Sequence, residues 1–247
     1  MRFALFKNEA SDPSHIEVTY GDEVYKVMIK RRPAARRVTL RVSSATGEVA
    51  MTLPEKVSIL SAKRFAQSHG GWISTRVHRL PEIIAFKPDA IIPLRGIPHR
   101  IIRRTTPQMP TGIFESVDNE RVIVVSGDAE HTPRRVKELL RREAQRDLEA
   151  AVVKYTEELG VKARKVALRD TRSRWGSCSS QGGLSFSWRL IMAPSYVLDY
   201  LAAHEVAHLL EMNHSQRFWK IVYQICPHTD EAEKWLKKNG ASLHRYG

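Results

Sequence analysis

The chain has 247 residues, 42% of them hydrophobic, and a net charge of +13, so it is long enough for one large or two small globular domains. No stretch approaches the roughly 18 uninterrupted apolar residues of a spanning helix. The opening MRFALFKNEASDP lacks an apolar signal core, and the two cysteines, Cys178 and Cys226, are too few for a disulfide framework; a cytoplasmic location without membrane contact is expected. Residues 1–180 carry 33 basic and 21 acidic side chains, whereas residues 181–247 carry 7 and 6. The basic surface therefore lies mostly in the earlier part, and an excess of this size can attract nucleic acid or nucleotides.

The first 55 residues read as strands. HIEVTY, EVYKVMIK, RRVTLRV and EVAMTL alternate or are rich in β-branched residues, with YGDE and SATGE as turns between them. KRRPAARR (30–37) is a basic run at the tip of a loop, either solvated or contacting phosphate. One helix is expected over 58–79, with Leu60, Phe65, Trp72, Ile73 and Val77 as its apolar stripe and Gly70-Gly71 weakening its middle. IIPLRG, HRIIRR and RVIVVS return to short strands. Residues 1–130 are thus expected to form a mainly β part with one helix, and residues 131–247 a separate unit.

That second unit starts with the clearest helix, capped by Thr132 and opened by Pro133. Val136, Leu139, Leu140, Ala144, Leu148, Val152, Tyr155 and Leu159 recur at helical spacing, and Gly160 ends it. KVALRD is a strand. RWGSC and LSFSWRL flank a Ser-Ser-Gln-Gly-Gly hairpin turn. Helices then start at Pro194, after Ser215 and near Thr229, giving an α+β architecture overall.

LAAHEVAHLLEMNHSQRFW (201–219) carries the chemistry. His204 and His208 are four residues apart, so on a helix they share a face and can hold one zinc ion. Glu205 lies about 100° round the helix, where it can take a proton from water activated at the metal without being a ligand. His214, six residues past His208, is about 240° away and on the wrong face of a continuous helix. The helix must break between 209 and 214 if His214 is to be the third ligand. Asn213, which tolerates the left-handed conformation, is the expected break. Three protein ligands and an open position describe a catalytic zinc site. The metzincin pattern H-E-x-x-H-x-x-G-x-x-H has the same span but needs glycine where Glu211 stands, and a later methionine turn. No methionine follows Met212.

RDTRSRWGSCSS (169–180), SWRLIMAPSYVLDYL (187–201), HEVAHLLEMNHSQRFW (204–219) and CPHTDEAEKWLKKNG (226–240) together resemble the YgjP-like metal-dependent hydrolases, relatives of the SprT-like zinc metallopeptidases. The resemblance is strongest over 130–247. It implies a minimal zincin-like core with Zn²⁺ on His204, His208 and His214 and Glu205 as general base. Phe218 and Trp219 would pack the next helix on the active-site helix. LSFSWRL would be the edge strand that accepts an extended protein or peptide substrate, and Trp175, Gly176, Ser177 and Cys178 the cleft floor. Cys178 is expected to be a small buried residue. Arg169, Arg172 and Arg174 could stabilise developing negative charge or pair with Asp170; His228 and Tyr223 have no support in that role. Two further readings stand beside the peptidase: a nucleotide phosphohydrolase, suited to the basic excess, and a DNA-associated protease like SprT-like relatives that act on DNA-attached proteins.

Overall fold

The structure, a computed structural model, describes residues 12–43, 45–80, 82–105, 111–115 and 120–247. The chain divides into two compact units, one up to residue 81 and one from Glu82 to Gly247. This boundary corrects the expected one at 130. Strands after residue 90 contribute Ile92, Leu94, Ile101, Ile123 and Val125 to the same core as the long helix that follows them. Sequence alternation identified those strands but not which helix covers them. Among the described residues, no helix is long and apolar enough to cross a membrane.

In the first unit, β1 (His15–Tyr20), β2 (Glu23–Arg31), β3 (Thr39–Val42) and β4 (Val49–Leu53) form one sheet in the order β1-β2-β4-β3. The expected helix is two, α1 (Ile59–Ser68) and α2 (Gly70–His78), joined at His69. Gly70 and Gly71 lie against Tyr20, where an added Cβ would come within 3.1 Å of its ring atoms or Cβ. Those glycines therefore admit close packing as well as weakening the helix. The buried face also differs from the expected stripe: Leu60 and Trp72 are exposed, and Ala62, Ala66 and Ile73 meet Val18, Val27, Met51 and Leu53. Small side chains let helix and sheet approach, which a search for large apolar residues overlooks.

In the second unit, β5 (Ile91–Leu94), β6 (Ile97–Arg104), β7 (Gly112–Glu115) and β8 (Arg121–Ser126) form a sheet in the order β5-β6-β8-β7. The β5–β6 hairpin turns on Arg95 and Gly96, both with positive φ (52° and 76°), as a tight two-residue turn requires. Helix α3 (Thr132–Leu159) buries every expected position except Leu159, which is partly buried, and Gly160 closes it with φ 65°. Thr132 is not its cap. It lies inside the helix, and its buried Oγ1 has no partner. A smaller sheet follows, with β9 (Lys165–Arg169), β10 (Gly176–Cys178) and β11 (Gly183–Ser187) in the order β10-β11-β9. β11 pairs antiparallel with β10 and parallel with β9. The LSFS part of LSFSWRL is therefore in the central strand, Trp188–Met192 forms a short 3₁₀ turn, and β10 and β9 are the two edges. Helices α4 (Ser195–Ala207), α5 (Gln216–Ile225) and α6 (Thr229–Asn239) complete this α+β unit.

Candidate metal centre

Helix α4 is buried along most of its length, including Glu205. It ends at Ala207, sooner than expected. Leu209 N–H donates to Val206 O and Leu210 N–H to Ala207 O, tightening the last turn. Asn213 acts differently from the expectation. It is not among the positive-φ residues; its side-chain oxygen instead accepts from Ser215 N–H at 3.0 Å, a local turn that asparagine favours. Ser215 then caps α5 by accepting from Phe218 N–H at 3.2 Å. The break is present, made by a hydrogen bond and not by a left-handed residue.

This turn returns His214 to the helix. Its Nε2 lies 3.1 Å from His204 Nε2, and one nitrogen from each of His204, His208 and His214 lies within 4.8 Å of the others. The outer nitrogens are tied down. His208 Nδ1 faces Glu211 O at 2.9 Å, so it carries the proton and leaves Nε2 as a lone pair. Tyr200 O–H donates to Glu233 Oε1 at 3.2 Å, and its oxygen stands 3.3 Å from His204 Nδ1, where it can accept that nitrogen's proton. Burial, reinforced by His208 and His214, drives the His204 pKa down to about 3; burial also lowers that of His208. Phe218, fully buried, stacks on His208 at 4.4 Å and meets the other two rings edge-on. Phe218 and Trp219 thus pack α5 on α4 as expected.

Glu205 is 4% exposed, and its Oε2 has no hydrogen-bond partner. Burial pushes its pKa up to about 7, against an opposing pull from Arg174. Gly176 of edge strand β10 lies directly against this carboxylate: an added Cβ would fall on Oε1 and 2.7 Å from Cγ. Trp175, Gly176, Leu201, His204, Glu205, Glu233 and Leu236 help line a cavity of about 250 Å³. Ser177 and Cys178 are not among its lining residues. Cys178 is half-buried, its thiol pKa raised by burial and by Glu205. Asp170 pairs with Arg189 and Lys137, not with the three nearby arginines. His228 lines a larger cavity of about 540 Å³ with Arg95, Tyr196 and Asp199, and exposed Tyr223 bonds Asp230. Sequence reading missed Tyr200 and Glu233, although Tyr200 stands four residues before His204 and so on the same helix face.

The donor chemistry fits a metal ion. Two imidazole nitrogens at 3.1 Å need a proton or a cation between them, and two of the three rings are held neutral with a lone pair inward. Helices packed on a small sheet around this imidazole cluster belong to a metal-dependent hydrolase of peptidase type. Within that class, the chain belongs to the YgjP-like family: the model described as "YgjP-like, metallopeptidase domain" matches residues 36–239. No curated protein matches the chain. A solved structure, the metallopeptidase zymogen of Pyrococcus abyssi abylysin, is similar at 21% identity over 37% of this chain and 93% of that one, with a TM-score of 0.34.

Proposed function

We propose that the protein is a zinc peptidase in which His204, His208 and His214 hold the ion and Glu205 is the general base. The observation that carries this reading is the convergence of three imidazoles beside a buried carboxylate with one unpartnered oxygen. Nitrogen-only donors with room for a fourth ligand suit Zn²⁺. When bound, the ion would supply Lewis-acid polarisation of a carbonyl and make water more acidic. Glu205 takes a proton from the attacking water as its oxygen bonds to the peptide carbonyl carbon. The carboxyl then delivers that proton to the amide nitrogen as the C–N bond breaks. A pKa near 7 suits both steps at neutral pH. Tyr200, with Glu233 behind it, keeps His204 in one tautomer. The free edge of β10, beside Glu205, is the natural place for an extended protein or peptide substrate.

A nucleotide substrate is the second reading. What favours it is Arg174, a cation whose charge acts on Glu205 and could meet a phosphate. Zinc analysis of the purified protein should find about one ion per chain, lost in His204→Ala; full occupancy in that variant would remove the proposed ligand set. Casein-like proteins and nucleoside triphosphates are then assayed side by side, with Glu205→Gln as control. Protein cleavage abolished by Glu205→Gln supports the peptidase; triphosphate cleavage alone reassigns the substrate.

A further inference from the structure

The basic run at 30–37 takes no part in the imidazole cluster, and its cations are used unequally. Arg31 is spent on the fold: it pairs with Asp12 and donates to Pro54 O at 2.8 Å and Glu55 O at 2.9 Å. Lys30, Arg32, Arg36, Arg37 and Arg41 are all exposed. Sheet register places Lys30 and Thr39 on either side of Thr52, in one row across β2, β4 and β3. Arg41, two residues beyond Thr39, points to the same side. Helices α1 and α2 pack on the opposite face, through Val27, Met51 and Leu53. The other face therefore carries Lys30 and Arg41 about 10 Å apart across the strands, next to the three loop arginines.

Acids do not cancel this patch. Asp12 is bonded to Arg31, and Glu55 also acts on Arg31. Glu17 stands opposite Lys26, farther along β2, and Glu48 lies in the β3–β4 turn away from the loop. We propose that this face binds double-stranded nucleic acid through its phosphate backbone. Guanidinium groups and the Thr39 and Thr52 hydroxyls are the donors that phosphate oxygens take. Among the described residues of this face there is no Phe, Tyr or Trp, so bases have no aromatic platform and a single strand is disfavoured. Val24 is the exposed large apolar residue on this side and lies six residues from Lys30 at the far end of β2; Met28, two residues from Lys30, is half-buried. A lipid surface would require apolar side chains beside the cations.

The test is anisotropy of a labelled DNA duplex of about 20 base pairs titrated with the full chain between 50 and 200 mM salt. Five phosphate contacts give a log–log slope of about −4.5, a weakening of about 500-fold over that range. The triple variant R32A/R36A/R37A leaves two contacts, and its slope should fall to about −1.8, or about 12-fold. The triple variant K63A/R64A/R79A removes equal charge from the helical side and should keep the wild-type slope. The charge-conserving variant R32K/R36K/R37K should also keep it. Absence of duplex binding in 50 mM salt overturns the proposal. So does an equal loss in the two alanine variants, a lysine variant as weak as the alanine one, or preference for a single strand or phosphatidylserine vesicles over the duplex.

Discussion

Helices α3 and α4 lie in the same unit, and each buries one glutamate, with opposite outcomes. Glu143 on α3 is 6% exposed, accepts from Arg95 at 2.9 Å and pairs with Arg146 at 2.7 Å. Its charge holds the left-handed Arg95, and so the β5–β6 turn, against the helix. Glu205 on α4 is 4% exposed, with one carboxylate oxygen unpartnered. A buried charge with its bonds made is structural. One left short of a partner costs free energy, and the proton it is ready to exchange is what that cost provides. α3 otherwise presents an aliphatic stripe to the core, whereas α4 adds two imidazoles to its buried length.

The largest way to break this comparison is Glu205→Gln. In its proposed role as general base, Glu205 should contribute about 100- to 10,000-fold to kcat; a variant retaining more than a tenth of peptide-cleaving activity would put it on the same footing as Glu143. The same substitution should stabilise the metal-free protein. The folded carboxyl keeps its proton to about pH 7, while the unfolded one loses it near the ordinary value of 4.5. Between those values the folded state binds more protons, so this contribution is full below about 4.5 and fades as pH rises through 7. Urea melts across that window should show Glu205→Gln gaining on the wild type by up to about 3 kcal/mol by pH 8. Parallel curves for the two proteins would mean that the carboxyl is not strained by burial.

Two smaller tests sharpen the contrast. Tyr200→Phe removes the hydroxyl that faces His204 Nδ1 and should weaken zinc affinity about 10- to 100-fold, read by competition with a chelating dye. Unchanged affinity would show that the ring needs no such support. Glu143→Ala should do the opposite of Glu205→Gln. Stability should fall by about 1–3 kcal/mol in denaturant melts, since Arg95 is left half-buried without one of its acids, while zinc content stays the same. Lost zinc there would mean that α3 and α4 do not divide the two roles.

How much of this was written in the chain depends on the range of the interaction. Local signals held: the period of α3, Gly160 at its end, the hairpin at 179–183, Ser215 as a cap and the need for a break before His214. Contacts between distant segments did not follow. Nothing in LSFSWRL tells that β9 will pair along its other side and make it a central strand, with Gly176–Cys178 as one of the two edges. The unit boundary at 81 depends on β5, β6 and β8 packing with α3, and alternation reports a buried face without naming what buries it. At the candidate site, His204, Glu205 and His208 were legible because their spacing maps directly onto a helix, and His214 because that helix has to break for it to join them. Tyr200 had the same spacing. It was missed because an aromatic residue on an apolar helix reads as core until Glu233, from α6, draws its hydroxyl into a polar bond.

The turn pinned by Asn213 makes the three imidazoles unequal in time. His204 and His208 ride at the end of one buried helix and cannot part without unwinding it. His214 is exposed, on a segment held by one side-chain amide and the start of α5. An ion gripped by all three would leave by the door that opens soonest, so its residence time would be set by the lifetime of that short turn and not by the strength of the helix.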